Sequence, residues 1–312
     1  MEKENQFSKR KFYNSDDSGK VFLFTVIFEL LLSLAASFLP KEVTNGVWGI
    51  VISIVLSLLL YLSVYFIYTA YNGIEFNAVG IKKTKWQNYV LAIFIGAIAL
   101  FGLQYLIGGV EHIFSLIGIP MNTSPIVGST NFGRFLLVVV SSAIIPAVCE
   151  ELIFRGMIFS GLRKSFSLPV AIVLSALLFA LMHFSLQQFL YPFLLGMIMA
   201  WIVARTGSLV CSMIVHFANN FLVILMSYLN EVNGFSMALP FTWWYYLLAV
   251  ALAMVTGLII FLIDKFYFKH KNQGGEVEKD EQPSKFVWIA IAVGVAMLVV
   301  ITIASVFSVK SA

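Results

Sequence analysis

Residues 134–163 read RFLLVVVSSAIIPAVCEELIFRGMIFSGLR, and this stretch decides the architecture. A membrane-spanning helix needs about 20 mostly apolar residues. The apolar pattern continues through an acid pair, Glu150-Glu151, and through Arg155, so one unusually long helix is predicted. An ionisable side chain at membrane depth costs about 2.5–3.5 kcal/mol, and by default it faces the inside of a bundle and serves a function. Glu151 and Arg155 are four apart and share a helix face. A carboxylate–guanidinium bridge between them would offset the cost of both charges. Pro146, four residues before Glu150, predicts a bend and a freed carbonyl beside the acid pair.

The rest of the chain agrees with this reading. The 312 residues are 60% hydrophobic and 12% charged, whereas a soluble domain carries about 25% charged residues. The expected fold is an all-α polytopic transmembrane bundle of about nine spans, at roughly 21–40, 47–70, 88–110, 134–163, 168–184, 187–204, 208–228, 239–264 and 286–307. With the N-terminus in the cytoplasm, 17 of the 20 Lys and Arg residues fall on the cytoplasmic side, and only Lys41, Arg134 and Lys310 fall outside. That asymmetry predicts the orientation. The expected organisation is a cytoplasmic tail at 1–20, N-terminal transmembrane helices at 21–128, a core at 129–230, and C-terminal helices at 231–312 with a polar cytoplasmic linker at 265–285. The first apolar segment reads as a signal anchor that stays in the protein.

Several other features read as structural. Residues 111–133 predict a re-entrant or surface loop, and Trp243 to Tyr246 an interfacial aromatic belt. Cys149 and Cys211 read as free thiols in apolar segments. His112 and His270 fall in expected loops and look incidental. The net charge of +4 serves orientation and does not suggest a nucleic-acid surface. Anionic lipid headgroups are the expected contacts of the cytoplasmic lysines.

Beyond the acid pair and Arg155, two further polar stations interrupt apolar helices: Phe179 with His183, and His216 with Asn220. At 1.5 Å per residue from the basic helix ends, Glu150 lies about 20 Å into the membrane, His183 about 24 Å, His216 about 16 Å and Asn220 about 22 Å. The stations therefore share one slab, provided that the fourth helix is continuous. A desolvated Glu150 suits a general base acting on water, and His183 can share or relay its proton. His216 and Asn220, also four apart, present N–H donors for an oxyanion. Together they describe peptide hydrolysis by activated water, reached from the cytoplasm or through a lateral gap. No Ser–His or Cys–His arrangement competes. The rival readings are a non-catalytic membrane regulator or immunity protein acting by binding, and a proton-coupled transporter. No internal repeat supports the transporter. Glu29, a further intramembrane acid, fits substrate entry or an interhelical bond equally well.

Glu150-Glu151-x-x-x-Arg155, Phe179-x-x-x-His183 and His216-x-x-x-Asn220 resemble, in order, the three motifs of the CPBP family. That family comprises the prenyl-CAAX-processing endopeptidases and their bacterial relatives, including Abi proteins linked to bacteriocin processing or self-immunity. The resemblance covers about residues 130–225. It implies that Glu150 is the catalytic glutamate of a glutamic-type intramembrane protease and His183 its partner on the water. It further implies that His216 and Asn220 are oxyanion donors, that Glu151 and Arg155 support the first motif, and that Phe179 packs under the site. It implies no cofactor and no metal, although the spacing of the histidines does not itself exclude zinc. The implied partners are membrane lipids and a peptide or membrane-protein substrate, in what reads as a bacterial plasma membrane.

Overall fold

The computed structural model describes residues 12–40, 43, 46–119, 126–269 and 282–310. Their principal elements are nine helices: α1 Ser15–Ser37, α2 Val47–Tyr71, α3 Trp86–Leu116, α4 Phe132–Ser165, α5 Leu168–Leu181, α6 Leu186–Thr206, α7 Leu209–Asn233, α8 Trp243–Phe268 and α9 Lys285–Lys310. Eight are long and apolar enough to cross a membrane, which makes this an integral, multi-pass membrane protein. The exception is α5. The sequence predicts a span at 168–184, but the helix has 14 residues and ends at Leu181. Its chain then turns at His183 and Phe184 into α6. Phe184 takes φ 48°, a left-handed conformation uncommon for a bulky side chain.

α4 is one helix of 34 residues, as the sequence reading requires. It carries two widened π segments, Val140–Ile144 and Leu152–Phe159, on either side of the segment that bears Pro146 and the acid pair. Such widened turns often occur at functional sites. The first ends just before Pro146, where the ring would otherwise crowd the preceding turn.

α1 begins inside the stretch expected to be a tail. Asn14 and Asp17 form a reciprocal cap at its start, and Tyr68 donates to the buried Asp17 at 2.9 Å. The loop expected at 111–133 is also shorter, since α3 runs on to Leu116 and carries His112 on a helix. The C-terminal linker coincides largely with residues 270–281, outside the described residues, as does His270.

Packing sets the positions of the site helices. α5 lies along α6, while α3 packs against both α7 and α8. Gly96 permits the α3–α7 approach, because a Cβ there would stand 2.7 Å from the carbonyl oxygen of Val215, next to His216. The outward faces keep large apolar side chains exposed, among them Leu31, Ile67, Met254 and Val300. Lipid is the solvent those faces suit. The aromatic belt divides. Trp243 and Trp244 are exposed, whereas Tyr245 is buried and Tyr246 bonds His112 Nδ1 at 2.7 Å.

Candidate functional site

The acid pair sends its two carboxylates into different surroundings. Glu151 is fully buried and accepts from Arg155 Nη1 at 2.8 Å. The guanidinium is fixed on two more sides, by Nη2 donating to the Gly196 carbonyl at 3.1 Å and by the Phe179 ring, whose centroid lies 4.4 Å away. Phe179 also packs edge-on against Phe154, His183 and His216. It is therefore the apolar floor on which both imidazoles stand.

His216 joins the two acids. Its Nδ1 lies 3.1 Å from Glu151 Oε1, and its Nε2 lies 3.9 Å from Glu150 Oε2. A continuous polar chain thus runs Arg155–Glu151–His216–Glu150. A carboxylate that accepts from one ring nitrogen sets the tautomer and directs the other nitrogen outward. The neighbour of Glu150 is thus His216. His183, the expected partner of Glu150 on the water, forms no hydrogen bond with it and faces the same cavity. His183 sits in the α5–α6 turn and not on the helix. Its Nδ1 lies 3.0 Å from the Phe179 carbonyl, to which it donates, so Nε2 remains an acceptor.

Asn220 holds the carbonyl that Pro146 frees. A proline has no N–H to satisfy the carbonyl four residues earlier, which belongs to Ser142. Asn220 Nδ2 donates to that oxygen at 3.1 Å. One amide N–H is thereby committed to anchoring α7 on α4, and the other remains for a ligand. The adjacent Asn219 bonds Tyr191 at 2.6 Å, tying α7 to α6.

Glu150, His183, His216 and Asn220 all line one cavity of about 710 Å³. Glu151 and Arg155 lie behind its wall, and Phe179 contributes to its lining. The cavity occupies the parts of α3, α4 and α6 away from the ends next to Lys82, Lys83, Lys85, Arg163, Lys164 and Arg205. Among the described residues, no three His, Cys, Asp or Glu side chains converge as a metal-ligand set.

Three lining residues had no signal in the motifs. Tyr61 of α2 shares a small recess with Glu150 and His183, its hydroxyl beside the Glu150 carboxylate. Gln104 and Glu111 come from α3. A tyrosine or glutamine in an apolar helix resembles any interhelical bonder, so only the packing reveals these roles. Glu29 bonds Ser33 at 3.4 Å and does not line the cavity.

A helical membrane bundle holds a buried acid–imidazole–acid chain that opens on a cavity lined by polar and apolar side chains. The comparisons show what it is similar to. Residues 132–222 match the family described as "Type II CAAX prenyl endopeptidase Rce1-like", and all seven motif residues lie within the match. The match is confined to this segment and fits the resemblance of its three motifs to the CPBP family. A Lactococcus lactis protein, "UPF0177 protein YxdF", is 36% identical over 78 residues, 25% of this chain and 42% of that one. A Bacillus subtilis protein, "Putative membrane peptidase YdiL", is 29% identical over 129 residues, 41% of this chain and 52% of that one. The chain thus spans about half the length of these relatives, or less. No solved structure matches it.

Proposed function

We propose that this protein is an intramembrane endopeptidase that cleaves a membrane-associated peptide or protein with an activated water. The observation that carries the reading is the convergence of Glu150, His183, His216 and Asn220 on one cavity. The Glu150 carboxylate takes a proton from water, while His183 Nε2 accepts the second O–H and orients it. The water oxygen bonds to the scissile carbonyl carbon. A protonated His216 Nε2 and the second Asn220 N–H donate to the resulting oxyanion. The oxyanion then re-forms the carbonyl, the C–N bond breaks, and Glu150 returns its proton to the leaving amine.

The Arg155–Glu151 pair holds His216 in place and takes no part in the bond changes. Tyr61 orients the Glu150 carboxylate from the other side. The cavity lies away from the basic helix ends. With the N-terminus cytoplasmic it faces the outer half of the membrane, and substrate enters from there or between helices, not from the cytoplasm.

The test compares peptides released from membranes carrying the native protein or Glu150→Gln at equal abundance. A set of products that falls at least about 100-fold with the substitution, and persists in a chelator with purified protein, supports the glutamate mechanism. An unchanged peptide set with a retained phenotype supports a protein that acts by binding.

A further inference from the structure

The cavity has a wall that belongs neither to the three motifs nor to the segment shared with the family. Leu100, Gln104, Ile107, Gly108 and Glu111 of α3 all line it. Their spacing of three and four places them on one helix face, so α3 presents a continuous strip to whatever occupies the cavity. Two members of the strip are polar, and both are poorly served by the protein itself.

Gln104 Nε2 is buried without a hydrogen-bond partner among the described residues. A buried donor left unsatisfied costs about 1–3 kcal/mol, so a ligand carbonyl that drew the Gln104 amide into the cavity it lines would relieve that cost. Glu111 is half-buried and forms no hydrogen bond or ion pair among the described residues. The lining holds two carboxylates, Glu111 and Glu150, and no lysine or arginine. Glu150 faces His216, but among the described residues no cationic group pairs with Glu111. The Tyr245 hydroxyl stands over Gly108, one turn earlier, and feels the charge of Glu111.

A carboxylate partly withdrawn from solvent attracts a cation more strongly than one at an open surface. The cation should be carried by the peptide that meets Gln104. From Gln104 to Glu111 the α3 axis advances about 10 Å, the rise of about three residues of extended chain. A peptide whose carbonyl accepts from Gln104 therefore places a side chain about three residues further on beside Glu111.

We propose that the α3 face is a substrate-selecting subsite, in which Gln104 binds a backbone carbonyl and Glu111 binds a lysine or arginine side chain of the same peptide. This rests on the endopeptidase reading for the identity of the ligand, though not for the charge preference of the cavity. Substrates are then hydrophobic peptides or membrane segments with one basic residue at a fixed distance from the bond that is cut.

The test uses purified full-length protein in phosphatidylcholine nanodiscs, which carry no net charge. The probes are fluorescent hydrophobic peptides, acetylated and amidated at their ends, with a single Lys, Gln or Glu walked along the sequence. Binding is read by anisotropy on Glu150→Gln protein, and cleavage by mass spectrometry on native protein. The expected result is one register at which the Lys peptide binds about tenfold tighter than the Gln peptide. Adding Glu111→Gln should remove the preference, and Glu111→Lys should turn it toward the Glu peptide. Gln104→Leu should weaken all peptides several-fold alike. A preference that survives Glu111→Gln, no discriminating register, or no binding at all would overturn the subsite. Charge-dependent binding without any cleavage would leave the subsite standing and remove the peptidase reading. Glu150-dependent cleavage indifferent to Glu111 would do the reverse.

Discussion

At the scale of single residues, the site depends on which partner each buried charge keeps. Arg155→Ala leaves Glu151 uncompensated at zero exposure, and removing one member of such a pair costs about 3–5 kcal/mol. Thermal unfolding in detergent should show a large drop. Replacing both, with Arg155→Met and Glu151→Leu, should recover most of that stability, yet activity should stay low because His216 loses its anchor at Nδ1. A rise in both stability and activity in the double variant would contradict the positioning role given to Glu151. The i, i+4 spacing makes the Glu151–Arg155 bridge legible in the sequence. The second bond of Glu151, to His216, joins residues 65 positions apart, and no local spacing encodes it. The motif spacing singled out His183, which lines the cavity, but its place in a turn was not legible.

At the scale of elements, Pro146, Ser142 and Asn220 work as one device. Pro146→Ala supplies an N–H that competes with Asn220 for the Ser142 carbonyl. Proline costs about 3 kcal/mol inside a helix, so the variant should unfold no earlier than the native protein. It should nevertheless cleave about tenfold or more slowly, because a displaced donor misses the oxyanion. Equal cleavage rates would show that the Asn220 anchor is incidental. Gly96→Val tests the neighbouring contact: with a Val215 oxygen 2.7 Å from any Cβ, α7 must move off α3. The variant should lose both stability and activity. Hydropathy located the nine principal helices, because composition records which segments prefer lipid. It could not show that α5 stops at 14 residues or that α4 widens twice. Helix length and turn width depend on hydrogen-bond pattern and tertiary packing, to which an average over residues is blind.

At the scale of the whole molecule, the cavity lies away from the basic helix ends. Cysteine labelling tests their orientation cleanly, since Cys149 and Cys211 are both buried and should stay silent. Lys83→Cys, exposed before α3, should resist a membrane-impermeant maleimide in intact cells and react once the membrane is opened. Thr130→Cys, exposed before α4, should react in intact cells. The opposite pattern would turn the cavity toward the cytoplasm. Lys and Arg placement predicts the sign of this asymmetry, whereas no pattern in the sequence locates the cavity. The cavity depends on residues such as Gln104 and Glu111, whose helix lies outside the motif region.

The shortness of α5 bears on the state in which a substrate can react. Fourteen residues rise about 21 Å, less than the about 30 Å of bilayer hydrocarbon. The α5–α6 turn can therefore exist at depth only where it borders the cavity and not lipid. A substrate segment crossing as an intact helix keeps its amide groups bonded to itself and offers its carbonyls to no attacking water. By ending early, α5 makes room for side-chain amides where hydrocarbon would otherwise be, and a segment that uncoils there can exchange its own bonds for theirs. Glycine or proline near the cut, by lowering the cost of uncoiling, should then speed cleavage without changing where the cut falls.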